Sequence, residues 1–185
     1  FGDFVLAHRD QILHSWIAAV DKNPSISASD NLTYTQLLDH LPELCTELAA
    51  LLKQPNAKGI KREARQDARA HGWKRWRQGY KLEELIREIC LIRRNFVDTW
   101  FKTFAAEERR FDFDAQNAAR RVVEGFFDNV IIEATVQFVE EHQEAVRQLN
   151  APLKPSVPGN AEFVQRITHI LREPLGPLLL GLEVL

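Results

Sequence analysis

The chain has 185 residues, with 24 Lys and Arg against 26 Asp and Glu and a formal net charge of −2. That balance lacks the cationic excess on which a dedicated nucleic-acid binder depends, so no nucleic acid is expected as a partner. A composition of 45% hydrophobic and 27% charged residues excludes disorder, and no run of roughly 18 apolar residues is present to cross a bilayer, so no membrane is expected either. The length suits one domain with a real core and a short appendage. No basic stretch followed by an apolar run opens the chain, which predicts a cytoplasmic protein without a secretory leader. Cys45 and Cys90 lie in apolar helical contexts and read as buried free thiols of a reducing compartment. With no Met and Phe1 at its start, the chain is expected to be a segment of a longer protein.

Glycine and proline together make up 16 of the 185 residues, under the usual share of roughly 12%. They cluster, as in a helical protein with sharp joints, and no strand-like alternation of useful length occurs. Residues 4–21 place Val5, Ile12, Leu13, Trp16, Ile17 and Val20 on one helical stripe. A polar loop with one proline covers 22–31. Thr33 or Thr35 can cap a short turn through His40. Proline is tolerated in a first turn but breaks a helix interior, so Pro42 opens a new helix that runs to Lys53. Leu41, Leu44, Cys45, Leu48, Leu51 and Leu52 form its inner face.

Residues 60–78 read as an arginine-rich helix whose inner face is small. Ala64, Ala68 and Gly72 stand at four-residue spacing, which lets two helix axes approach, and Gly79 ends the helix. The spacing next predicts an amphipathic helix over 82–104, with Leu85, Ile89, Ile92, Phe96, Trp100 and Phe104 inward. Asp112 or Asp114 caps a last long helix to about Leu149, about 55 Å if unbroken. Its core positions run from Ala119 to Phe138, after which the apolar pattern thins and the helix leaves the bundle. Residues 150–160 hold three prolines and a glycine, a linker composition. Residues 161–185 then form one leucine-rich helix that needs a partner to be stable. The expected fold is all-α: a four- to five-helix bundle over 1–149, the linker over 150–160, and one extra helix over 161–185.

Within that last segment stand Phe163, His169, Leu171, Arg172, Pro174 and Leu175. Their order and spacing resemble the H-box of sensor histidine kinases, whose His is the phosphoacceptor on the first helix of a dimeric four-helix bundle. At about 100° per residue, Phe163, Ile167, Leu171, Pro174, Leu178 and Leu182 share an arc of about 100°, with His169 at about 240°, nearly opposite. An outward His suits phosphoryl transfer from a separate ATP-binding domain; an ordinary surface His is the alternative. Ile170 stands where the family pattern has an acidic residue able to act as a general base.

The body of the chain carries a second pattern: Leu37–Leu38–Asp39–His40–Leu41–Pro42–Glu43–Leu44, then Ala70–His71–Gly72, Arg75, Gly79–Tyr80, Glu84–Leu85, Arg87–Glu88 and Leu91–Ile92–Arg93. Over roughly residues 8–145 it resembles the RsbRD N-terminal domain family. The resemblance implies an all-helical input domain of the kind found ahead of histidine kinase cores and in stressosome co-antagonist proteins.

Five residues stand out as a possible ligand pocket: His71, Trp73, Arg75, Trp76 and Tyr80. His71 could ligate haem or a metal, but no second ligand stands at metal spacing. A His71 that donates to a carboxylate such as Glu84 or Glu88 is the preferred reading. Arg69, Arg75, Arg77, Arg87, Arg93 and Arg94 surround the aromatics, and Arg beside aromatics can hold an anion. Ion pairs with Asp67, Glu83, Glu84 and Glu88 across adjacent helices are the favoured alternative. No cofactor is expected, and without a Gly-rich phosphate loop or an ATP-binding lobe the chain has no kinase activity alone.

The two resemblances together imply the N-terminal sensory region of a cytoplasmic two-component sensor histidine kinase. It would control phosphorylation of His169 in a homodimer, with an ATP-binding domain beyond the C-terminus and a response regulator as partners. A non-enzymatic stressosome-type scaffold and a haem or small-molecule sensor are the alternatives.

Overall fold

The computed structural model describes residues 1–150. The expected linker over 150–160, the expected helix over 161–185, His169 and Ile170 lie outside the described residues, apart from Asn150. The described residues are all-α, and Phe1–Ala145 pack as one unit.

The first stripe is split into α1 (Gly2–Ala7) and α2 (Arg9–Asp21), a break that periodicity did not announce. His8 sits between them at φ −110° and ψ 12°, and its ring nitrogen donates to the Phe4 carbonyl at 3.0 Å. The bend lets α1 pack on α4 while α2 packs on α6. The polar loop contains a short 3-10 turn, Ser27–Asn31. Glu84 holds that turn by accepting from the Ser27 hydroxyl at 3.0 Å and the Ala28 amide at 3.2 Å.

Thr33 caps α3 (Tyr34–Leu38) in a reciprocal box with Gln36, and α4 (Leu41–Lys53) follows with Pro42 in its first turn. Leu41, Leu44, Cys45, Leu48 and Leu51 are buried, and Leu52 is half-buried. The arginine-rich helix is α5 (Lys58–Arg77), ended by Gly79 at φ +81°, where a side chain would be strained. Ala64, Ala68 and Gly72 are buried as their spacing predicts.

The helix expected over 82–104 is not regular. It comprises α6 (Leu82–Asn95), a π-helical segment Phe96–Trp100, and α7 (Phe101–Glu107). A π turn accommodates an extra residue, which re-phases the inner face. Phe96, Trp100 and Phe101 are all buried there. Phe101 stacks on Phe1 at 4.7 Å between ring centroids, at the aromatic end of the core. Asp112 caps α8 (Phe113–Asn150), accepting from the Ala115 amide at 2.9 Å. Its buried residues are Val123, Phe126, Phe127, Val130, Ala134 and Phe138, and no described residue after Phe138 is buried. Cys45 is buried, Cys90 is half-buried, and both thiols are free.

Candidate functional site

Helical periodicity turns one edge of α5 inward, and that edge carries His71, Gly72 and Arg75. All three are buried, two of them ionisable side chains with no solvent exposure. Their partners come from other elements. Arg75 meets Glu88 of α6 through Nε to Oε2 at 2.9 Å and Nη2 to Oε1 at 2.6 Å, a forked geometry suited to a carboxylate. Its remaining donors reach the carbonyls of Gln36 at 2.9 Å and Leu37 at 2.7 Å, and the Gln78 side chain at 2.8 Å. The guanidinium also lies 5.1 Å over the buried Tyr80 ring. Burial, reinforced by the nearby Glu88 carboxylate, pushes the Tyr80 phenol well above its ordinary value.

His71 donates from Nδ1 to Asp39 Oδ2 at 3.2 Å, and its Nε2 faces Glu88 Oε1 at 3.7 Å without a hydrogen-bond partner. Asp39 also accepts from Lys74. Burial would raise the Asp39 carboxyl, but the His71 and Lys74 hydrogen bonds outweigh it and hold the group at about 2. Asp39 has φ +44°, a backbone region that non-glycine residues rarely occupy. It is the residue at the joint between α3 and α4, so a strained hinge is held by two cationic or proton-donating side chains of α5. Around the His71 ring, the two carboxylates Asp39 and Glu88 face the two cations Lys74 and Arg75.

Of the five residues singled out by sequence, His71, Arg75 and Tyr80 meet in this cluster. Trp73 does not: it is 39% exposed, with the Arg77 guanidinium 4.9 Å over its ring. Trp76 and Tyr80 line a separate hollow with Phe138, Val139 and His142 of α8. Other arginines pair with α8, Arg69 with Glu133 and Glu140, and Arg93 with Asp128 at 2.8 Å. Glu88 pairs as foreseen, whereas Glu84 is occupied by the Ser27–Asn31 turn. Sequence reasoning missed Asp39, whose carboxylate is the hydrogen-bond partner of His71. Its signal was faint: an Asp at the end of a five-residue helix, tolerant of positive φ.

Gly72, one residue past His71, faces α8. A Cβ there would stand 2.1 Å from the Ala134 carbonyl oxygen. Cluster and helix contact therefore sit on consecutive residues of α5. Among the described residues no group of three or more His, Cys, Asp or Glu is placed to hold a metal ion, and no helix is long and apolar enough to cross a membrane.

No curated protein and no solved structure matches the chain. A family model described as the RsbT co-antagonist protein rsbRD N-terminal domain matches residues 10–152. That match covers well over half the sequence and contains the whole Asp39–His71–Arg75–Glu88 cluster, so the chain belongs to the rsbRD N-terminal domain family.

Proposed function

We propose that the chain is the sensory input region of a signalling protein, in which the packing of the helices before α8 sets the position of α8 and of whatever follows Asn150. One observation carries this reading: His71 lies in the buried ionic cluster while Gly72 touches the α8 backbone at Ala134. A change in the cluster's charge or contacts moves α5, and no compliant side chain separates α5 from α8 at that point. Beyond Phe138 no described residue of α8 is buried, so that part is held less firmly by packing than the segment from Val123 to Phe138.

The finer reading is a cytoplasmic sensor histidine kinase acting as a homodimer. An ATP-binding domain beyond the C-terminus transfers a phosphoryl group to His169, and a response regulator receives it. The H-box pattern around His169 supports this assignment. The experiment is incubation of the full-length protein with labelled ATP beside a His169→Gln variant. Acid-labile label present in the parent and lost in the variant is the expected result. No label in either protein would sink the kinase reading.

The second reading is a stressosome-type scaffold, and the family description favours it as strongly, because its printed words concern a co-antagonist of RsbT. In that case the helical surface recruits partners without chemistry. Ile132 and Val136 of α8, 57% and 40% exposed one turn apart, give such a surface an apolar strip for self-association.

A further inference from the structure

We propose that the cleft between the end of α4, the start of α5 and the middle of α8 binds an amphiphilic anion, an aliphatic carboxylate, one per chain. The cleft holds about 500 Å³, in the range of roughly 300–1,000 Å³ typical of small-molecule sites. Its floor is apolar, formed by Leu51, Ala64, Val122, Phe126 and Val130. Its polar edge is cationic, with Lys61 and Arg65 on α5 and Arg121 on α8. No acidic residue lines it, although the chain has more acidic than basic residues. Arg65 is met by Glu133 from outside the lining, at 3.5 Å. Lys61 and Arg121 have no ion-pair partner among the described residues. An alkyl chain would cover the floor, and its carboxylate would meet Lys61 and Arg121.

A second observation comes from Gly125. A glycine inside a helix is less stable than alanine there, so an interior glycine normally has a packing reason. Gly72 has one in the Ala134 backbone. Gly125 has none, because an added Cβ there meets nothing within 4 Å. Gly125 lines the cleft, and what its missing side chain preserves is the open volume itself. Inorganic phosphate would leave the apolar floor bare, and a cationic amphiphile would meet the wrong charge. That the bound carboxylate is a signal rests on the sensory reading; that it binds rests on the cleft alone.

The test uses the whole 185-residue chain and a fluorescent probe, 11-(dansylamino)undecanoic acid, with decanoate and decyltrimethylammonium as competitors. Saturable binding of one probe per chain is expected, displaced by decanoate and not by the ammonium. Gly125→Phe, which fills the cleft from a position with free space, and Arg121→Glu, on the exposed edge, each weaken binding about tenfold or more. Both variants retain the parent's helical circular dichroism. Absence of saturable binding overturns the proposal, as does equal displacement by the ammonium or binding unchanged in both variants. A dimer that Gly125→Phe dissociates, with no probe bound, also overturns it, since a second copy would then fill the cleft. The readout is binding to this chain, so failure of His169 phosphorylation leaves it unaffected, and its own failure leaves the phosphorylation assay standing.

Discussion

Replacing Gly72 by alanine tests the contact on which the proposed signal path depends. The new methyl would lie 2.1 Å from the Ala134 carbonyl oxygen and 2.8 Å from both its carbonyl carbon and Cα, where ordinary contact begins near 3.4 Å. The helices must therefore separate by more than 1 Å. The obstructing atoms are backbone, and Ala134 lies between the buried Val130 and Phe138, so no rotamer change relieves the clash. Overpacking of this kind costs roughly 1–3 kcal/mol, and separation also loses dispersion contacts along the α5–α8 seam. Against this, alanine in a helix interior gains about 1 kcal/mol over glycine. Because the clash is with rigid backbone, the expected net loss is about 2 kcal/mol, a fall in Tm of roughly 4–8 °C for a domain of this size. Gly125→Ala is the internal control: the same chemical change, in a helix interior, into empty space. It should gain about 0.5–1 kcal/mol. Urea denaturation followed by circular dichroism ranks the three proteins. If Gly72→Ala is as stable as the parent, or ranks with Gly125→Ala, the close α5–α8 approach is refuted.

Two further outcomes follow from the buried cluster. The Asp39 carboxyl, at about 2 in the folded chain, lies below its ordinary 3.8. The unfolded chain therefore binds the proton first as pH falls, and the contribution present above pH 4 is lost on acidification through pH 2. That loss is about 2 kcal/mol, and in Asp39→Asn the pH 2–4 slope should flatten; an unchanged slope would contradict the assignment. Arg75→Met strands Glu88 without its cation in the interior and should cost about 3–5 kcal/mol in urea denaturation. Adding Glu88→Leu should restore part of it, leaving the Gln36 and Leu37 carbonyls as the uncompensated remainder. A single-variant loss under about 1 kcal/mol would mean the pair is not desolvated.

The order and kind of the helices were legible in the chain because they depend on local information. The Thr33 cap, Pro42 in a first turn, Gly79 at a left-handed turn and the small face at Ala64, Ala68 and Gly72 each announce themselves within a few residues. The small face even foretold a close helix approach, and Ala134 supplies its partner. The π turn at Phe96–Trp100 was not legible. Both a regular helix and a re-phased one accommodate this apolar spacing, so periodicity does not choose between them. The break at His8 was not legible either, since it lets α1 pack chiefly on α4 and α2 chiefly on α6.

The candidate site was half legible. An arginine-rich helix with an inward histidine implied buried ion pairs, and Glu88 was among the partners foreseen for Arg75. Asp39 was not foreseen for His71, because it stands 32 positions away and reaches the ring only when the α3–α4 joint folds back on α5. Trp73 and Trp76, neighbours of that cluster in sequence, diverge from it in space because a helix turns successive residues to different sides. The cleft under Gly125 could not be read at all, since a void is a property of three helices at once. Sequence by itself determined most of the helices, several caps and the inward faces, for these depend on contacts within a turn or two. Which charge meets which, which glycine is crowded and which lines open space were decided by the tertiary structure, because those depend on distances between helices that no local pattern encodes.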